Sequence, residues 1–130
     1  MKEKMRKLGE RELDIMQVLW RAGSATVTQV HQELLERGGE AAYTTVQTML
    51  NRLEAKGYVT RDAVERAHLY RPLLKESTAV KGAIRRLTER FFQGSAEELA
   101  ARLVEQNLDA KQLARIQALI DAQHKKESSK

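Results

Sequence analysis

The chain contains no cysteine. Disulfides, thiolate metal sites and cysteine nucleophiles are therefore all excluded. No apolar stretch approaches ~18 residues, so no membrane-spanning helix is expected. The start, Met-Lys-Glu-Lys-Met-Arg-Lys, is polar and lacks the apolar core of a secretory signal. There is no Walker-A loop, no G-x-G-x-x-G and no H-E-x-x-H. The three histidines, His31, His68 and His124, are scattered without paired partners. Ser24, Ser77 and Ser95 sit where turns and helix caps are expected. No enzyme activity, metal or cofactor is expected, and the balance of these absences fits a cytoplasmic protein.

What is present is a charged, mostly helical chain of 130 residues, long enough for one domain with a small appendage. Its hydrophobic fraction of 42% allows a packed core, and its net charge of +5 points modestly to a polyanion. The charge is not concentrated in one half. Residues 1–74 hold 12 basic and 10 acidic groups, and residues 75–130 hold 11 and 8. Solubility alone is the other account of such a charge.

The most informative stretch is Tyr43 to Lys56. Val46, Met49, Leu50 and Leu53 recur at i, i+3, i+4 and i+7, one apolar stripe at helical period. The opposite face carries Thr44, Thr45, Gln47, Thr48, Asn51 and Arg52. A solvated helix face would be rich in Glu and Lys. Short hydroxyls, amides and one guanidinium suit base edges instead: amides pair with adenine, Arg with guanine, and Thr offers a methyl and a hydroxyl. Gly57 is placed to end this helix.

Upstream, a helix is expected over Glu10–Arg21, with Leu13, Met16, Leu19 and Trp20 on one face. Trp20, the single tryptophan, reads as core rather than as a stacking platform. Thr26 and Gln29 form a capping box for a second helix ending near Arg37. Two short helices joined by a brief turn, the second with a polar reading face, make a helix-turn-helix. Residues 1–7 carry Lys2, Lys4, Arg6 and Lys7 and read either as a frayed terminus or as an arm near phosphates.

Downstream, residues 58–62 and 68–71 alternate and are β-prone, and Pro72 stops the second run. They predict a β-hairpin with a five-residue tip, Ala63–Ala67. The tip lacks glycine, which argues against a tight primed turn. A hairpin directly after a reading helix is a wing, and Arg66 at its tip is a candidate phosphate contact, with Arg61, His68 and Arg71 as weaker ones. Three further helices follow. Ser95 with Glu98, and Asp109 with Gln112, are capping pairs for the last two. The expected organisation is a winged-helix domain over 1–74, a helical dimerisation segment over 75–124 and a disordered tail over 125–130. The helical segment is too short to bury its own apolar residues. Ile84, Leu87, Phe91, Phe92, Leu99, Leu103, Leu113, Ile116 and Ile120 need a cover. A second copy of the segment is the simplest one, and the winged domain is the other.

The run Leu13-x-Ile-Met-x-Val-Leu-Trp20, then Ala25-Thr-Val27, Tyr43-Thr-Thr-Val-x-Thr-Met-Leu-x-Arg-Leu53 and Lys56-Gly-Tyr58 resembles the bacterial penicillinase-repressor family of BlaI/MecI type. Tyr70-x-Pro-Leu73 and Phe92-x-Gly-Ser95 resemble it too, and the likeness covers about residues 8–122. The resemblance implies an N-terminal winged helix, a C-terminal helical dimerisation segment and repression of transcription by homodimers on palindromic operators. It places Thr44, Thr45, Gln47, Thr48 and Arg52 at DNA-reading positions. Antibiotic-responsive members are inactivated by proteolysis at an Asn-Phe bond, where this chain has Ala101-Arg102 and no Asn-Phe pair. Copper-responsive relatives end in a cysteine cluster that is absent here. The resemblance therefore leaves the inducing signal, and any inactivating protease, open. The expectation is a mainly α, winged-helix homodimeric repressor acting on palindromic double-stranded DNA. A ligand-sensing winged-helix regulator and a winged helix used only to bind proteins are the alternatives.

Overall fold

The computed structural model describes residues 7–128. The order of elements is α1 (Glu10–Ala22), α2 (Val27–Glu36), α3 (Tyr43–Ala55), β1 (Val59–Val64), β2 (Ala67–Pro72), α4 (Glu76–Phe92), α5 (Ala96–Glu105) and α6 (Ala110–Ser128). The fold is mainly helical with one winged helix-turn-helix. It divides into two compact units, one up to Ala83 and one from Ile84 onward. The basic groups Lys2, Lys4 and Arg6 lie outside the described residues.

The first unit is built around the inward faces of α1, α2 and α3. Ile15, Met16, Leu19, Val30, Val46, Leu50 and Leu53 are almost completely buried, together with Val59 and Tyr70 of the hairpin. The apolar stripe of α3 thus faces the core, with Met49 at its margin. α1 buries Val18 and leaves Leu13 at the edge, because its inward face is centred on Ile15, Met16 and Leu19. Trp20 packs against the core and donates its indole N–H to the Leu74 carbonyl at 2.8 Å.

The helix ends follow local chemistry. At α2 the Gln29 N–H reaches the Thr26 hydroxyl at 3.2 Å, and the Thr26 N–H reaches the Gln29 side chain at 2.8 Å. α3 ends in a Schellman motif. Gly57, at φ 80°, donates to the Glu54 carbonyl at 2.9 Å, and Tyr58 donates to Leu53 at 3.0 Å. Any Cβ disfavours that backbone angle, which is why glycine stands there. Tyr58 and Leu53 are both buried, supplying the apolar contact the motif usually carries.

β1 and β2 pair antiparallel from Val59↔Pro72 to Val64↔Ala67. The loop is therefore two residues, Glu65 and Arg66, not the expected five. Glu65 takes a left-handed φ of 57° without being glycine, and this closes the tight turn that the lack of glycine argued against. The left-handed region costs an ordinary residue about 1–2 kcal/mol, and glycine loses about 0.5–1 kcal/mol of chain entropy in return. Glu65→Gly is expected to stabilise the hairpin by up to about 1 kcal/mol, seen as a small rise in the thermal unfolding midpoint. A fall would mean the Glu65 side chain contributes more than its backbone strain. Ala25 extends the sheet by one bridge, exchanging hydrogen bonds of 2.9 and 2.8 Å with Tyr70.

The second unit has little interior. No residue of α5 or α6 is buried. The Asp109–Gln112 box forms in full at 3.0 and 2.8 Å. At α5 only the Ser95 hydroxyl cap forms, accepting from the Glu98 N–H at 3.1 Å. α6 continues to Ser128, so residues 125–128, expected in a disordered tail, are helical. Lys and Glu are good helix formers, and lysines in the last turn offset the negative end of the helix dipole.

Candidate nucleic-acid interface

Thr44, Gln47, Thr48 and Asn51 recur at i, i+3, i+4 and i+7 along α3, directly opposite its buried stripe. All four are exposed and, with Arg52, make no side-chain hydrogen bond among the described residues. Their donors and acceptors are thus available to a partner. Thr45 differs. It is half-buried and borders a hollow of about 140 Å³ with Ile15, Leu34, Ala41, Val46 and Met49. The hollow is also lined by Arg11 and Asp14 of α1, so Thr45 sits at the flank of the row.

The entry to α3 is held by a residue that sequence reasoning left unassigned. His31, on α2, contacts the Ala41 carbonyl at 3.1 Å through Nε2. Its ring meets that of Tyr43 edge-on, with centroids 5.8 Å apart. α2 thereby fixes the last peptide groups before α3 and its first residue. His31 has no periodic or motif signal, since its partners are set by the turn.

The exit is held by Glu12 and Lys56. Glu12, on α1, is only 4% exposed. Its Oε1 accepts from the Lys56 ammonium at 2.8 Å and from the Gly9 N–H at 2.9 Å. Burial raises the Glu12 carboxyl, but the Lys56 and Gly9 hydrogen bonds and the charges of Lys56 and Arg52 outweigh it and hold the group below its ordinary value of 4.5. A depressed carboxylate stabilises the fold above that value, and the stabilisation is lost as pH falls through the folded value. The thermal midpoint is expected to fall as the pH drops below the ordinary carboxylate value, with Glu12→Gln flattening the decline. An unchanged profile in that variant would assign the acid sensitivity to other carboxylates.

The wing carries fewer unpaired charges than its sequence implies. Arg61 pairs with Glu54 of α3 at 3.3 Å, and Arg71 pairs with Asp62 across the hairpin at 3.2 Å. Both pairs are partly exposed, where such contacts are worth ~0–1 kcal/mol. Arg66, the second loop residue, is exposed and has no ion pair among the described residues. It stands on the wing, apart from the α3 row.

The residues named for self-association all lie from Ile84 onward. Ile84, Leu87, Phe91, Leu103, Leu113 and Ile120 are exposed, and Phe92, Leu99 and Ile116 are half-buried. Leu119, on the same helical stripe as Ile116 and Ile120, and Val104, which periodicity does not single out, add to this apolar surface. No group of three or more His, Asp or Glu comes together among the described residues as a metal site would need, and none of their helices is long and apolar enough to cross a membrane.

The family model described as penicillinase repressor matches residues 8–122, nearly the whole chain. The chain belongs to the penicillinase repressor family. Among its relatives, the transcriptional regulator BlaI of Mycobacterium tuberculosis is 41% identical over 80 residues. That alignment spans 61% of this chain and 57% of the mycobacterial protein. The penicillinase repressor of Bacillus licheniformis is 27% identical over 103 residues, 79% of this chain and 80% of that protein. The solution structure of the DNA-binding domain of the repressor BlaI is 31% identical, with a TM-score of 0.52. It covers 59% of this chain and 93% of that one. The monomeric form of the Bacillus licheniformis BlaI, solved in complex with the blaP half-operator, is likewise 31% identical, with a TM-score of 0.50 and the same coverage.

Proposed function

We propose that this protein is a transcriptional repressor, not an enzyme, that binds a palindromic DNA operator as a homodimer. The observation that carries the reading is the row of Thr44, Gln47, Thr48, Asn51 and Arg52. These side chains are exposed and unbonded on a helix whose other face is locked in the core. The winged unit is similar to a BlaI solved with a half-operator, which supports DNA binding by this unit. α3 enters the major groove, and the row supplies base contacts. Arg66 meets the phosphate backbone from the wing. The exposed apolar residues of the second unit join two copies, so the operator carries two half-sites about one helical turn apart.

The test is selection from a pool of random duplexes by the full-length protein at two salt concentrations. A palindromic motif retained at the higher salt is the expected result. Binding without a motif, lost as salt rises, would reduce the protein to a polycation and refute sequence reading. Within a recovered motif, Arg52→Ala is expected to relax one base position at a cost of ~1–3 kcal/mol. Equal weakening on every duplex, with a shallower salt dependence, would make Arg52 a phosphate contact instead.

A further inference from the structure

We infer that Glu12 and Lys56 form a positioning pair that sets the angle of α3 and the stance of Arg52, so that α1 governs how sharply the protein discriminates between DNA sequences. The inference rests on the proposed use of α3 as the reading helix.

Lys56 is the residue that caps α3. Its backbone N–H donates to the Arg52 carbonyl at 3.0 Å, while its ammonium reaches Glu12 at 2.8 Å. One residue therefore links the candidate base-reading arginine to a carboxylate on another helix. The ammonium also approaches the Lys7 carbonyl at 3.4 Å. The link is set inside the protein: the side chains of Lys56 and Glu12 are 16% and 6% exposed.

A stapling role alone does not explain the choice of residues. Burying an ion pair is a poor route to stability, because desolvation offsets most of the attraction and apolar replacements do as well or better. This pair is also incompletely satisfied, since the Glu12 Oε2 is buried without a hydrogen-bond partner. What the pair gives that apolar contacts do not is direction. A charge-assisted hydrogen bond fixes one distance and one angle, whereas apolar surfaces slide. Base readout needs such a fix, because a small tilt of α3 at its exit moves Arg52 off a bidentate contact while phosphate contacts adapt.

The test compares full-length wild type with three variants, Glu12→Met/Lys56→Met, Glu12→Gln and Lys56→Arg. The duplexes are the one enriched by the wild type from the random pool and an unrelated one. The double methionine variant removes both charges and keeps the site filled, so its unfolding midpoint is expected to stay near wild type. Its ratio of specific to non-specific affinity is expected to fall about tenfold, the scale of one base contact, with affinity for the unrelated duplex unchanged. Glu12→Gln, which keeps the shape and a neutral acceptor, is expected to lose part of the ratio, and Lys56→Arg to retain it. Trp20→Phe, which removes a hydrogen bond away from α3, serves as the stability control. Wild-type discrimination in both Glu12 variants would overturn the inference. So would a fall in discrimination that tracks the midpoint equally in Trp20→Phe. If the double variant does not fold, Glu12→Gln measured below its midpoint decides. Failure of the wild type itself to select a motif would instead refute the reading of α3.

Discussion

Phe91→Glu is expected to separate the proposed dimer into monomers and to weaken binding to a palindromic duplex by about 10²–10⁴-fold. Phe91 is 72% exposed, near the end of α4. A substitution there costs the isolated chain little, because the ring gives up few internal contacts. In a twofold interface the same change acts twice, placing two carboxylates in an apolar contact, and burial of an unpaired charge is severely unfavourable. The second half-site then binds without the benefit of linkage, and affinity drops toward that of a single reader. Sedimentation equilibrium and fluorescence anisotropy on the selected duplex measure the two effects. A variant that stays dimeric would place the interface elsewhere. A monomer with undiminished operator affinity would show that one winged unit suffices.

Leu50→Ala is expected to destabilise the winged unit by about 2–5 kcal/mol. Leu50 is fully buried at the centre of the α3 stripe, between Val46 and Leu53. Truncation forfeits its transfer energy and leaves a cavity that the rigid surroundings fill only in part. For a unit of this size the loss lowers the thermal midpoint by roughly 10 °C or more. Because Leu50 anchors in the core the helix that carries Gln47 and Asn51, specific binding is expected to be lost at a lower temperature than in the wild type. A small shift, with binding intact, would mean that the neighbours close over the gap.

α3 was legible in the sequence because its information is local. A stripe of Val46, Met49, Leu50 and Leu53 with an uncharged polar face opposite needs no tertiary knowledge to interpret. The Thr26–Gln29 and Asp109–Gln112 caps were legible for the same reason, since both partners lie within one turn. Glu12 was not. It sits among Glu10, Arg11 and Asp14 on a helix whose charges look solvated, and its partner is Lys56, 44 positions away. Nothing short of the fold brings the two together. The role of His31 is hidden in the same way, its hydrogen-bond partner being a backbone carbonyl ten positions on. The wing tip was misjudged for another reason: glycine is the usual signature of a tight turn, and Glu65 takes the left-handed backbone without it. At residues 125–128 a charged composition argued for disorder, while the same lysines continue a helix already begun.

The Tyr58 carbonyl accepts from both Leu73 and Leu74, at 2.8 and 3.1 Å, and the Tyr58 N–H closes the end of α3. Both legs of the hairpin are thus fastened at a single residue. The wing is a cantilever with a clamped root and an adjustable length. Adding one residue pair to each strand keeps every side chain on its face and advances the tip. The reach of this arm can therefore change without disturbing the pitch of the helix beside it.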